Sequence, residues 1–98
     1  PSYLRRGDVT IAISTAGSSP ALARKIRARL EVDFGDEYAA LARLISEVRT
    51  AVKREGIRVS DDAWQEALDL DLLGDLVRRG NHEKARDTLL NNLRNKNN

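Results

Sequence analysis

The sequence predicts an α+β protein: a small strand-plus-helix lobe followed by a helical bundle. Three observations predict it. "DVTIAIS", Asp8 to Ser14, alternates β-branched apolar residues with small ones. Ser19-Pro20 then opens a strongly basic helix. From Leu41 to Leu93, aliphatic residues recur at helical spacing between capping and stop signals.

Length limits the design. At 98 residues the chain makes one domain or two very small lobes, because near this size roughly 60–65% of the unfolded surface is buried. A partner chain covering an apolar face is then physically useful. The composition, 41% apolar and 33% charged, is that of a soluble globular protein. No apolar run approaches the roughly 20 residues that span a bilayer, so no membrane segment is expected. The opening "PSYLRRGD" lacks the apolar core of a signal peptide, and the chain contains no Met. The expectation is a fragment cut from something longer, of cytoplasmic origin. With no Cys and a single His, His82, disulfides, thiolate metal sites and a histidine metal centre are not expected. Seventeen cations against fifteen anions is too even a balance to predict a nucleic-acid partner.

Each element follows from local signals. In the strand Asp8 to Ser14, Val9, Ile11 and Ile13 share one face. Its candidate partners within the chain are weak, Tyr3-Leu4 or Gly56 to Ser60, so pairing with another chain or a removed segment is expected, and with it a dimer. The next helix has Ser19 as N-cap and Pro20 at its first position, and runs to about Val32. Leu22, Ile26 and Leu30 make a narrow stripe expected to be buried, while Arg24, Lys25, Arg27 and Arg29 crowd the other faces. These elements form an expected dimerisation lobe, residues 1–33, with a helical bundle lobe over 34–98.

In the bundle, a long helix starts near Gly35 or Asp36, carries Leu41, Leu44, Ile45, Val48 and Val52, and stops at Gly56. Ser60-Asp61-Asp62 cap a short helix holding Trp64, Ala67 and Leu68. A second short helix bears Leu70, Leu72, Leu73, Leu76 and Val77 and ends at Gly80; Asn81 caps a last helix with Ala85, Thr88, Leu89 and Leu93 inside. The tail "RNKNN" is expected to fray.

The loop Ser14 to Ser19 is the one stretch whose chemistry exceeds what a fold needs. Hydroxyls of Ser14, Thr15, Ser18 and Ser19, a flexible Gly17 and the free N–H groups of the first helical turn can hold phosphate or carboxylate oxygens. Arg24 and Lys25, one turn in, add charge. The alternative is an ordinary strand-to-helix connection with N-capping, and a solvated basic face beyond it. The loop lacks a P-loop's Gly-Lys-Ser/Thr ending and the third glycine of a dinucleotide fingerprint. Trp64 reads as a core anchor, and His82 as a surface residue. No nucleophile–base–orienter set is present, so no catalytic residue is expected within the chain. From residues alone the function is a ligand-contacting interaction domain. The rival is a small helical nucleic-acid- or protein-binding module using the Arg24 to Arg29 helix.

"RRGDVTIAISTAGSSPALARKIRARLE", Arg5 to Glu31, resembles the region that follows the dinucleotide-binding domain in siroheme synthases (precorrin-2 dehydrogenase/sirohydrochlorin ferrochelatase). The residues that carry the resemblance are Ser14, Thr15, Gly17, Ser19, Pro20, Ala23, Arg24, Arg27, Leu30 and Glu31. Ala16 stands where that family usually has a first glycine. Past Glu31 the likeness thins to apolar spacing, "VRTAVK" and Trp64. The resemblance implies a homodimeric enzyme of siroheme biosynthesis, with NAD and the catalytic Asp held outside this chain and no cofactor within it. It also implies a tetrapyrrole substrate, met by Ser14 and Thr15 as pocket hydroxyls and Arg24 as charge partner. Gly17, Ser18 and Ser19 complete the expected binding loop.

Overall fold

The computed structural model describes residues 2–96, the last by its backbone alone. Its elements are β1 (Ser2–Arg6), β2 (Val9–Ile13), α1 (Pro20–Asp33), α2 (Glu37–Arg54), α3 (Asp61–Ala67), α4 (Leu70–Arg78) and α5 (His82–Lys96). The α+β reading is therefore correct. The chain divides into two compact units, Pro1–Ala42 and Arg43–Asn98, and the division falls within α2.

In the first unit β1 and β2 form a two-stranded antiparallel sheet, with Ser2 opposite Ile13 and Arg6 opposite Val9. The loop between them is two residues, and Gly7 at its first central position has φ +60°, the backbone of a type II′ hairpin turn. Gly7 is fixed there twice over, since a Cβ would lie 2.9 Å from the Ala39 Cβ. The expectation that β2 lacks a partner in its own chain is thus corrected. "SYLRR" carries little strand propensity, and the tight turn supplies the proximity that its composition does not announce.

The register puts Leu4, Ile11 and Ile13 on one face, where Leu4 and Ile13 are buried, and leaves Tyr3, Arg5, Thr10 and Ala12 exposed on the other. α1 packs on the sheet through Ala23, its one buried residue. The predicted stripe is not buried: Leu22 and Ile26 are 48% and 36% exposed, and Leu30 is half-buried. The α1–α2 turn is clamped by Arg6, whose Nε donates to the Phe34 carbonyl at 2.8 Å and lies 3.8 Å from Asp36. Phe34 and Tyr38 meet with ring centroids 5.1 Å apart.

In the second unit Leu44, Val48, Val52, Ala67, Leu73, Leu76, Val77, Ala85, Leu89 and Leu93 are buried, and α3 and α4 both pack on α5. α2 ends in a Schellman motif: Gly56 N–H donates to Lys53 O at 3.1 Å and Ile57 N–H to Val52 O at 3.0 Å, with Gly56 at φ +71°. Gly80 repeats the device for α4, where Asn81 N–H donates to Leu76 O at 2.8 Å. Ser60 caps α3 and Asp69 caps α4 through side-chain oxygens, each 3.1 Å from a backbone N–H. The predicted fraying is corrected for Arg94 to Lys96, which are helical; Asn97 and Asn98 lie outside the described residues. Arg94 is tied to Glu55 by a two-point ion pair, and the Glu55 carboxylate raises its pKa further above the ordinary arginine value.

Candidate functional site

The Ser14–Ser19 loop is a compact turn built mostly from its own hydroxyls. Thr15 to Ser18 close a β-turn through Ser18 N–H to Thr15 O at 3.0 Å, with Ala16 at φ 53° and Gly17 at φ 81°. Positive φ at both central positions is the type I′ geometry. Gly17 adopts it freely, whereas Ala16 holds its Cβ against the neighbouring carbonyl.

The hydroxyls divide into those the turn consumes and those it leaves. Thr15 Oγ1 donates to Ser19 O and accepts from Ser19 N–H, both at 3.2 Å. Ser18 Oγ donates to Thr15 O at 2.7 Å. Ser19 Oγ accepts from Leu22 N–H at 3.0 Å, the N-cap bond of α1. Ser14 Oγ accepts from Ala16 N–H at 3.2 Å and keeps its own proton free. Pro20 has no N–H to give, and Ala23 N–H is taken by Ser19 O. The helix end therefore offers a ligand far fewer donors than four orphan N–H groups would.

Beside the turn lies a cavity of about 490 Å³. Ile13, Pro20 and Ala23 form its apolar lining; Ser14, Thr15, Gly17 and Arg24 bring the polar groups, joined by Ser2. The structure thus brings four of the six expected site residues together. Ser18 and Ser19 do not line the cavity, being used to hold the turn and the helix start. Ser2 is the residue that sequence reading missed. It reaches the site because β1 sets it opposite Ile13, and the sequence marked that strand only weakly, through Tyr3-Leu4.

The four cations that crowd the outer faces of α1 separate into different settings. Arg24 is exposed at the cavity mouth, with no acidic partner among the described residues. Arg27 pairs with Glu31 at 3.2 Å, one turn further on. Lys25 and Arg29 flank a shallow groove along the apolar stripe of Leu22 and Ile26. Among the described residues the cavity lining has no carboxylate, imidazole or thiol; a hydroxyl and a guanidinium above an apolar floor are groups able to meet an anion. Among the described residues no three His, Cys, Asp or Glu come together in a group able to hold a metal ion. No helix among them is long and apolar enough to cross a membrane.

Comparison with known proteins includes this segment: the family model is confined to it, and the relatives match almost the whole chain. Residues 6–32 match the family model described as "Sirohaem biosynthesis protein central". A siroheme synthase of Vesicomyosocius okutanii is 36% identical over 97% of this chain and 21% of its own length. One of Gluconacetobacter diazotrophicus is 37% identical over 91% of this chain and 19% of its own. Among solved structures, the precorrin-2 dehydrogenase SirC is similar with a TM-score of 0.60 and 25% identity, covering 94% of this chain and 45% of that one. The chain spans about a fifth of the length of these curated relatives.

Proposed function

The chain belongs to the siroheme synthase family, and from that premise we propose that it supplies the dimer-forming segment and part of the tetrapyrrole pocket of a precorrin-2 dehydrogenase. The reaction is NAD-dependent oxidation of precorrin-2 to sirohydrochlorin, with ferrochelation to siroheme as the further step of a bifunctional member, in the cytoplasm. The observation that carries the reading is the cavity beside the Ser14–Ser19 turn. It lies in the segment that the family model matches, and it sets a free hydroxyl and an unpaired guanidinium over an apolar floor. A macrocycle with eight carboxylates has both an apolar body and anionic rim groups to meet them.

Ser14 would donate to a rim carboxylate, and Arg24 would pair with one as a two-point fork. Gly17 leaves open space beside them, as nothing lies within 4 Å of where a Cβ would stand. Thr15, Ser18 and Ser19 then act by holding the turn in shape.

NAD does not fit the residues present. The loop has one glycine where a dinucleotide fingerprint needs three, and it follows an antiparallel hairpin rather than opening a βαβ unit. On this reading the dinucleotide site and the catalytic Asp belong to the rest of the enzyme, and the chain alone is inactive.

Homodimerisation rests on α1. Leu22 and Ile26 stand exposed at helical spacing, with Val32 beyond them at 83% exposure. A second copy of the same helix would cover that stripe by an isologous contact.

Ser14→Ala and Arg24→Gln in the full-length enzyme test the reading. Both side chains are exposed and leave the turn's other bonds intact. A KM for precorrin-2 raised roughly three- to tenfold per change, as for a lost charge-assisted contact, with unchanged thermal stability is expected. Unchanged kinetics would remove the cavity from the substrate site.

A further inference from the structure

The second unit holds a cavity that the proposed function does not use. It measures about 360 Å³ and lies where the end of α2 meets the extended segment 57–60. Its apolar surface comes from Val52, Ile57, Val59 and the half-buried Trp64. The Schellman motif builds it, since the bond from Ile57 N–H to Val52 O folds the chain back over the helix end.

Three cations ring this floor: Arg49 and Lys53, one turn apart on α2, and Arg58 on the returning segment. All three are exposed, and none has an acidic partner among the described residues. Glu55, the acid nearest Lys53 in sequence, is drawn off by its ion pair with Arg94. Elsewhere in this unit Arg78, Arg79 and Arg86 are matched by Asp75 and Glu47, while Arg43, Arg54 and Lys84 also have no acidic partner among the described residues but line no such apolar floor. Positive charge is thus left uncompensated at the one place in the unit where an indole and three aliphatic side chains make a concave floor.

We propose that this cavity binds a small aromatic anion, a carboxylate or phosphate on a planar ring. The volume lies at the low end of the roughly 300–1,000 Å³ typical of small-molecule sites, which suits one or two fused rings. The ring would lie on Trp64 and the aliphatic floor, and the anionic group would meet the planar forks of Arg49 and Arg58, with Lys53 beside them.

The chain has one tryptophan, so the indole N–H signal in a proton–nitrogen correlation spectrum reports this cavity alone. Three probes are titrated: 1-naphthoate, 1-naphthyl phosphate and the uncharged 1-naphthylmethanol. The proposal expects saturable shifts of the Trp64 indole and the Ile57–Val59 amides with at least one anion. The alcohol should bind roughly fivefold or more weakly. The triple change Arg49→Gln, Lys53→Gln, Arg58→Gln should weaken anion binding roughly tenfold or more, from about two- to fivefold per exposed ion pair, without altering the rest of the spectrum. The tighter of the two anions then identifies carboxylate or phosphate as the recognised group. Equal affinity for the alcohol, indifference to the triple change, or shifts confined to Leu22 and Ile26 on α1 would overturn it. Turnover by the full-length enzyme enters none of these readouts, so the two proposals fail separately.

Discussion

Ala16→Gly is expected to stabilise the protein, although it removes a side chain and adds a flexible residue. Ala16 sits at φ 53° in the type I′ turn, and an L-residue with a Cβ pays about 1–2 kcal/mol for left-handed backbone. Glycine relieves that strain but loses about 0.4–1 kcal/mol by widening the unfolded ensemble. The difference is a net gain of roughly 0.5–1 kcal/mol, or an increase in Tm of roughly 2–8 °C at this chain length. Ala16 is exposed and makes no side-chain contact that the turn depends on, so packing enters neither side of the comparison. Gly17→Ala is the reciprocal control. Its φ of 81° is also left-handed and the space beside it is open, so any loss there is backbone strain alone, about 1 kcal/mol or more. Urea unfolding followed by far-ultraviolet circular dichroism measures both. A destabilised Ala16→Gly together with a neutral Gly17→Ala would show that the turn does not have two left-handed residues, and the geometry assigned to the loop would fall with it.

Other consequences are equally direct. Gly7→Ala should destabilise by about 2 kcal/mol or more, since left-handed strain adds to a 2.9 Å approach to the Ala39 Cβ; a loss under about 0.5 kcal/mol would contradict the II′ hairpin. Ser19→Ala should cost about 1 kcal/mol as a lost N-cap, whereas Ser14→Ala, which loses a 3.2 Å bond to an exposed loop N–H and caps no helix, should cost much less; equal losses by urea titration would refute the division of labour. Leu93→Ala, fully buried in the second unit, should cost about 2–5 kcal/mol. Glu55→Gln should lower stability slightly, and less so in about 1 M salt where the screening length is near 3 Å. Arg94 has its pKa raised by Glu55; its contribution is present below the unfolded arginine value and fades only as pH rises through the folded one. The loss should therefore match between about pH 6 and pH 9, and a steep change across that interval would disprove the pairing.

Much of the local structure could be read from residue type and spacing. Ser19-Pro20 marked the start of α1, Gly56 and Gly80 marked the ends of α2 and α4, and Leu41, Leu44, Val48 and Val52 marked the inner face of α2. Each is a signal that acts within one or two turns of chain. The candidate loop was legible to the same extent: small polar residues between a strand and a basic helix, with Ser14, Thr15, Gly17 and Arg24 at one cavity. β1 was only weakly legible, because "SYLRR" gains its strand conformation from pairing with β2 and not from its own preferences.

The sequence by itself determined the five helices, strand β2, the caps Ser19 and Ser60, and the resemblance to siroheme synthases. Only tertiary structure decided what each polar group is free to do. Four hydroxyls look alike along the chain, yet hydrogen bonds closed across three or four residues consume the protons of Thr15 and Ser18, while Ser14 and Ser19 only accept, and of those two only Ser14 lines the cavity. Leu22 and Ile26 carry the periodicity of a buried stripe and stand in the open, because periodicity records which residues seek cover and contacts decide whether cover arrives. Hydrogen bonds and burial depend on which distant atoms come within about 3 to 4 Å, and that proximity is a property of the folded chain.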